Sequence, residues 1–347
     1  MVKRLNINQL NIRQKSEARE EGLSPFGVKS RLSRGRVVNE ELCPIRTAFQ
    51  RDRDRIIHTK AFRRLKHKTQ VFIAPLGDHY VTRLTHTLEV SQIARTIARA
   101  LDLNEDLVEA ATLGHDLGHT PFGHAGEQVL NELFPQGFHH NLQSLRIVDV
   151  LENDGKGLNL TWEVRDGIVN HSKTGLNSLQ QDWGKIGTVE GEVCRIADIV
   201  AYINHDIDDA LRAGVINEND LPAAAVDVVG DSNSSRINIM VSDIIENSWE
   251  QPAIAMSPEV LTATDTLRKF LFQRVYNLAR KEAETGREVM CRLYEYFKTH
   301  QEKLPREYHM HSEEAEQGVV DYIAGMTDQF ALRLAEEIKP FLIVRPD

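Results

Sequence analysis

The chain is poor in cysteine. Its 3 cysteines, Cys43, Cys194 and Cys291, are odd in number and far apart. That spacing excludes a disulfide framework and a zinc ribbon, and fits a reducing compartment. No apolar run approaches the roughly 20 residues that a membrane helix needs. The N-terminus, Met1-Val2-Lys3-Arg4-Leu5-Asn6, turns polar at once and lacks the apolar stretch of a signal peptide. The expectation is a cytoplasmic protein with no membrane association. Strand signals are weak throughout, and there is no internal repeat. Basic residues are not in excess either: the formal net charge is −9. The charge therefore does not point to a bulk nucleic-acid binder, and an anionic substrate would be drawn in by a metal and by local basic side chains.

What is present is enough for a substantial core. The 347 residues are 41% hydrophobic and 27% charged, an ordinary soluble composition with room for one large domain or two small ones. Helical spacing dominates. Leu84, Leu88, Ile93, Ile97 and Leu101 mark a helix over 83–101, with His86 in its first turn. Leu107, Val108, Ala111 and Leu113 mark another over 105–117, ended by Gly118 and Pro121. A third runs over 127–134, and a fourth over 190–211 carries Val193, Ile196, Ala197, Val200, Ile203 and Ile207. Residues 230–235 read as a flexible break. Ser257-Pro258-Glu259 reads as a helix start with proline in the first turn. The fold class is all-α.

Chemistry concentrates in Gly114-His115-Asp116-Leu117-Gly118-His119-Thr120-Pro121-Phe122-Gly123-His124-Ala125-Gly126-Glu127. Imidazoles and carboxylates in one run are ligands for a divalent metal and also donors and acceptors of protons. His86, His115, Asp116 and Asp198 are the candidate ligands, each on a helix with a strong apolar stripe that turns it inward. A lone histidine such as His86 is also compatible with a hydrogen-bonded core residue. Adjacent residues on a helix point about 100° apart, so His115 and Asp116 reach one ion only if the helix end allows it. Asp198, Tyr202 and Asp206 stack on one face by their spacing of four. Residues 51–68 collect Arg51, Arg53, Arg55, Lys60, Arg63, Arg64, Lys66 and Lys68 between apolar positions at helical spacing. They form either a solvated amphipathic face or a phosphate-facing surface.

The order His86, His115-Asp116, Asp198 resembles that of HD-domain phosphohydrolases. Arg83-Leu84-Thr85-His86-Thr87-Leu88-Glu89-Val90, the run from His115 to Glu127, His140-Asn141-Leu142-Gln143-Ser144 and Tyr322-Ile323-Ala324-Gly325-Met326-Thr327-Asp328 are similar to segments of bacterial deoxyguanosinetriphosphate triphosphohydrolase-like proteins. The similarity runs from about Arg51 to the C-terminus. It implies an HD-domain helical bundle with additional C-terminal helices. The expected division is an arm over 1–50 that orders on oligomerisation, an HD core over 51–225, and a C-terminal helical region over 226–347 packed on that core.

The resemblance also implies a reaction: hydrolysis of dGTP and other deoxynucleoside triphosphates to deoxynucleoside and inorganic triphosphate. In it, His86, His115, Asp116 and Asp198 hold one divalent metal, Mn2+, Fe2+ or Mg2+, which polarises the α-phosphate and activates water. The mixed His and carboxylate set by itself favours a transition metal. His124 is the implied acid/base, Glu127 orients it, and His119 lies between metal and phosphates. As a bland alternative, Glu127 is a carboxylate stabilised by a helix N-terminus. Gln70, Arg83, His140, Asn141, Tyr202 and Asp206 match substrate-facing positions. Related SAM-and-HD-domain hydrolases carry a lysine directly after the metal aspartate where this chain has Ile199, leaving Arg63, Arg64 and Lys66 as candidate clamps of the triphosphate. The family further implies a homo-oligomer, often a hexamer, and a dNTP activator. The competing readings are another HD-type nucleotide phosphohydrolase, and a protein that binds nucleotides or single-stranded DNA with weak catalysis.

Overall fold

A computed structural model describes residues 7–71, 80–172, 186–276, 280–310 and 315–338. The expected extension of the helix after Pro258 to Leu278 therefore lies partly outside the described residues. Among the described residues the regular elements are helices, with two isolated bridges, Arg36–Thr161 and Thr69–Thr82. The protein is all-α, as its periodicity predicts.

The helices that position the site are α1 (Ala48–Ile57), α2 (Arg83–Ala100), α3 (Glu105–Gly114), α4 (Gly123–Leu133), α5 (His140–Arg146), α6 (Trp162–Asn170) and α7 (Val189–Arg212). Behind them follow α8 (Asn233–Ser248), α9 (Pro258–Leu271), α10 (Arg280–Thr299), α11 (Ala315–Ala324) and α12 (Asp328–Glu337). Their starts are written in short polar side chains. Thr47, Thr82, Asn104, Thr188, Ser232, Ser257 and Thr327 each accept a backbone N–H of the first turn, satisfying donors that a helix end leaves open. Ser232 shortens the expected break at 230–235, because its cap starts α8 at Asn233. Leu88 does not join the α2 stripe. The buried face runs through His86, Val90, Ile93, Ala94 and Ile97, which leaves Leu88 exposed.

Three apolar clusters hold the bundle. The first joins α2 and α7 with α8 and α9. The second joins Phe122 and α4 with α10, α11 and α12. The third joins Phe49 and Ile56 of α1 to α3 and α6. The apolar side of α4 thus belongs to the C-terminal cluster, while α9 belongs with the metal-bearing helices. Burial of this kind contributes on the order of 1.5–3 kcal/mol per large side chain.

Residues 20–36 are stitched to this frame by buried carboxylates. Glu20 accepts the Ser30 amide and hydroxyl, Glu163 accepts the Arg34 amide, and Asp52 pairs with Arg36. Glu190 accepts the amides of Val28 and Asn104. Burial pushes the Glu190 carboxyl up to about 7, against the backbone hydrogen bonds that oppose it. A carboxyl raised in the folded state holds its proton more tightly there. Its contribution is complete below the ordinary carboxyl value and is lost as pH rises to about 7. Glu190→Gln mimics the protonated form. Its stability relative to wild type is expected to rise between pH 4.5 and 7.5 by on the order of 2–3 kcal/mol, at about 1.4 kcal/mol per pKa unit. Denaturant melts at several pH values check this, and a flat difference would contradict it.

Candidate active site

Three helices converge on the metal-ligand candidates. The Thr82–Thr85 capping box starts α2 so that His86 sits one turn in and is buried. The helix predicted to reach Leu117 ends at Gly114. The cause is Ser144 on α5, whose hydroxyl takes the Gly118 amide and donates to the His115 carbonyl at 2.6 Å. Gly118 must be glycine, because a Cβ there would lie 2.2 Å from the Ser144 amide nitrogen. With the ladder diverted, His115 and Asp116 both face His86, and His86 and His115 face Asp198 on α7. His86 Nε2 lies 3.2 Å from Asp198 Oδ1 and 3.9 Å from Asp116 Oδ2. His115 Nε2 lies 3.7 Å from Asp116 Oδ1 and 3.9 Å from Asp198 Oδ1.

The donor chemistry of this group fits a divalent metal. His115 Nδ1 sits 2.6 Å from the Thr112 carbonyl, so it carries the proton, and Nε2 presents a lone pair. That Nε2 is buried and has no hydrogen-bond partner, an arrangement costly without a ligand. For His86 Nε2 to be a lone-pair donor, Nδ1 carries the proton and donates to His205 Nε2 at 2.8 Å. The other nitrogen of His205 lies 2.6 Å from Asp206 Oδ1. Metal-binding histidines are commonly oriented in this manner by their second nitrogen.

Beside this group the chain makes a tight turn. Phe122 and Gly123 have φ of 61° and 58°, and α4 begins at Gly123, earlier than the spacing predicts. Gly126 lets the turn close, since a Cβ there would meet the Pro121 carbonyl at 2.1 Å. The turn gathers four imidazole and carboxylate groups. Glu127 Oε1 accepts from the His140 amide and lies 2.8 Å from His140 Nδ1. Its other oxygen lies 3.4 Å from His124 Nδ1 and 3.9 Å from His119 Nε2. Burial works against the Glu127 charge, but His140, His124 and His119 hold the carboxyl far below its usual range. His140 is correspondingly raised, with burial opposed by Glu127. His119 is buried and stacks on His140 with ring centroids 4.6 Å apart.

The two groups adjoin, because His140 Nε2 lies 4.0 Å from Asp116 Oδ1. Arg83 spans them. Its Nη1 donates to Asp116 Oδ2 at 2.6 Å, and its buried Nε and Nη2 have no partner. Free guanidinium donors beside a metal-ligand set suit a phosphate.

Gln70 is half-buried with a partnerless Oε1, and its carbonyl lies against Gly123. Asn141 donates its amide to the Val169 carbonyl at 2.6 Å, so that side chain ties α5 to α6. Tyr202 packs against the first core cluster, and Asp206 accepts the Tyr276 hydroxyl. Ile199 is core. Much of the 51–68 basic stretch is engaged elsewhere: Arg51 and Arg55 pair with Glu40, and Arg53 pairs with Glu109. Lys66 remains exposed.

Three site residues escaped the sequence reading. His171 has Nε2 3.1 Å from His140 Nε2, and its other nitrogen donates to the Ile168 carbonyl. Burial, then His115 and His140, pushes it down to about 3, so it serves as a neutral acceptor. His205 backs His86. Lys68 is fully buried and donates to the carbonyls of His119 and Ala324. Burial, with Arg64 next, lowers its amine to about 7.

A helical frame with two histidines and two aspartates meeting in this order is that of an HD domain, and the HD-domain family model matches residues 83–211. A second model, the phosphohydrolase-associated domain, matches 254–337. The deoxyguanosinetriphosphate triphosphohydrolase-like protein of Caldanaerobacter subterraneus subsp. tengcongensis is 59% identical over 320 residues, covering 91% of this chain and 92% of its own. The protein of the same description from Desulfatibacillum aliphaticivorans is 49% identical, covering 95% and 98%. That from Clostridium tetani is 46% identical, covering 96% and 98%. The chain belongs to the deoxyguanosinetriphosphate triphosphohydrolase-like family of HD-domain proteins. No helix among the described residues is long and apolar enough to cross a membrane.

Proposed function

We propose that the protein is a metal-dependent dNTP triphosphohydrolase, splitting dGTP and other deoxynucleoside triphosphates between the 5′ oxygen and the α-phosphorus. The observation that carries this reading is the adjacency of two groups across one turn: the ligand candidates His86, His115, Asp116 and Asp198, and the proton-handling set His119, His124, Glu127 and His140, which meet where His140 Nε2 lies 4.0 Å from Asp116 Oδ1. A divalent metal held by the first set supplies Lewis-acid polarisation of the α-phosphate and a more acidic water.

The chain's own residues do the rest. Arg83 offers its unpaired N–H donors to a phosphate oxygen, and His119 lines the same wall. His124 is the exposed member of the second set, with its side chain 76% accessible. It delivers a proton to the departing 5′ oxygen, which is a poor leaving group as the bare alkoxide. Glu127 orients His124 and carries the compensating negative charge. Gln70, Tyr202 and Asp206 are assigned to the sugar side.

Incubation with each dNTP and Mn2+, singly and in pairs, is expected to release inorganic triphosphate and deoxynucleoside in equal amounts. Pairing also tests activation by a second nucleotide. Release of pyrophosphate, or no hydrolysis with any metal and nucleotide pair, would overturn the proposal.

A further inference from the structure

The C-terminal region supplies none of the ligand or proton-handling residues, yet one short stretch of it grips two segments that carry proton-handling residues and a third that carries Gln70. Asp328, the first residue of α12, is buried. Its Oδ1 accepts the Phe122 amide at 3.1 Å and its Oδ2 accepts the Thr69 amide at 2.9 Å. The first bond holds the left-handed residue from which α4, with His124 and Glu127, departs. The second holds the segment leading to Gln70. These two segments touch at Gly123, where a Cβ would lie 3.1 Å from the Gln70 carbonyl.

Neighbouring contacts repeat the pattern. Lys68 donates to the Ala324 carbonyl at 2.8 Å and to the His119 carbonyl. Asp321 accepts Gln143 at 2.9 Å and a bidentate Arg146 at 2.8 and 2.7 Å, both from the helix that begins with His140.

We propose that residues 321–328 form a clasp in which Asp328 is a positioning residue, setting the catalytic turn against the sugar-side segment 68–70. A non-glycine residue in the left-handed region costs free energy and persists only where its surroundings hold it. A carboxylate accepting the amide of that residue supplies such a hold, because charge-assisted hydrogen bonds are the stronger kind. The metal-ligand candidates lie on α2, α7 and the end of α3, and Asp328 contacts none of them. Asp328 reaches the ligand-bearing helices only through the Thr69–Thr82 bridge, so its loss is expected to move His119, His124 and Gln70 more than it moves the metal ligands. The kinetic part of the test rests on the function proposed above.

The test uses full-length Asp328→Asn and Asp328→Ala. Asparagine keeps one acceptor oxygen and the side-chain volume, so it is expected to retain the fold more fully than alanine. Mn2+ affinity by calorimetry is expected within threefold of wild type in the asparagine variant. Backbone amide exchange at Thr69 or Phe122 is expected to accelerate at least tenfold, with the amides of α3 unchanged. The kcat for dNTP hydrolysis is expected to fall ten- to thirtyfold while KM moves less than threefold. Unchanged protection of both amides, or wild-type kcat in the folded variant, would overturn the proposal, as would a parallel loss of metal. Should the wild-type protein hydrolyse no dNTP, the substrate reading fails, and amide exchange with metal affinity decides on the clasp by itself.

Discussion

Asp116→Ala is expected to eliminate Mn2+ binding and turnover together, and to lower stability as well. Asp116 is buried, faces both candidate histidine ligands, and accepts from Arg83 at 2.6 Å. Burial opposes its charge, but Arg83 and the surrounding histidines outweigh burial and hold the carboxyl well below the usual carboxylate range. Truncation therefore leaves the Arg83 guanidinium buried and unpaired, which costs about 3–5 kcal/mol. An alanine variant alone would confuse a lost ligand with a damaged fold. Asp116→Asn separates the two: it keeps the volume and one oxygen for Arg83 but removes the anionic ligand. Its midpoint in a denaturant melt is expected to lie closer to wild type than that of alanine. Its Mn2+ affinity, read by calorimetry or electron paramagnetic resonance, is expected to fall at least about 100-fold, the upper end of what even a supporting residue contributes. Turnover should fall with it. Asparagine binding Mn2+ within threefold of wild type would remove Asp116 from the ligand set.

The inward placement of the candidate ligands is legible because they lie on, or directly after, helices whose apolar stripes are strong. His86, His115 and Asp198 are carried inward by Val90, Leu113 and Ala197 on the same elements. The partners of those residues were not legible. His171 is a lone histidine just past a helix, and nothing in its neighbourhood marks its approach to His140, 31 positions away. Lys68 reads as one more cation in a basic run, yet its amine lies within the fold between two carbonyls. The end of α3 is hidden for a related reason. The local pattern continues to Leu117, and the side chain that stops the helix, Ser144, arrives from α5. Periodicity reports which face is buried; it carries no information on which distant hydroxyl captures an amide. The stitching of residues 20–36 was hidden likewise, since Glu20, Asp52, Glu163 and Glu190 look like solvated helix charges until their amide partners are seen.

His124→Ala is expected to leave the metal bound and to slow the chemical step by about 10²–10⁴-fold, the range for loss of a general acid. Two imidazoles compete for that role, because Glu127 lies closer to His140 than to His124: 2.8 Å against 3.4 Å. The environments decide between them. Burial opposes the His140 charge, but Glu127 outweighs burial and raises the group, and its Nδ1, 2.8 Å from Glu127 Oε1, has its proton committed to that pair. His124 is exposed and can be reprotonated from solvent after each turnover. Exogenous imidazole is therefore expected to restore part of the activity of His124→Ala but none of that of His140→Ala. The pair involving His140 should show itself in stability. A histidine raised in the folded state contributes fully below its ordinary value of about 6.5, and that contribution is lost as pH rises through the raised value. Glu127, being lowered, contributes above the ordinary carboxyl value of about 4.3 and loses that contribution as pH falls through its depressed value. The deficit of His140→Gln relative to wild type should thus be largest near pH 5–6.5 and shrink toward pH 9. Rescue of His140→Ala by imidazole, with none for His124→Ala, would exchange the two roles and make the buried histidine the acid.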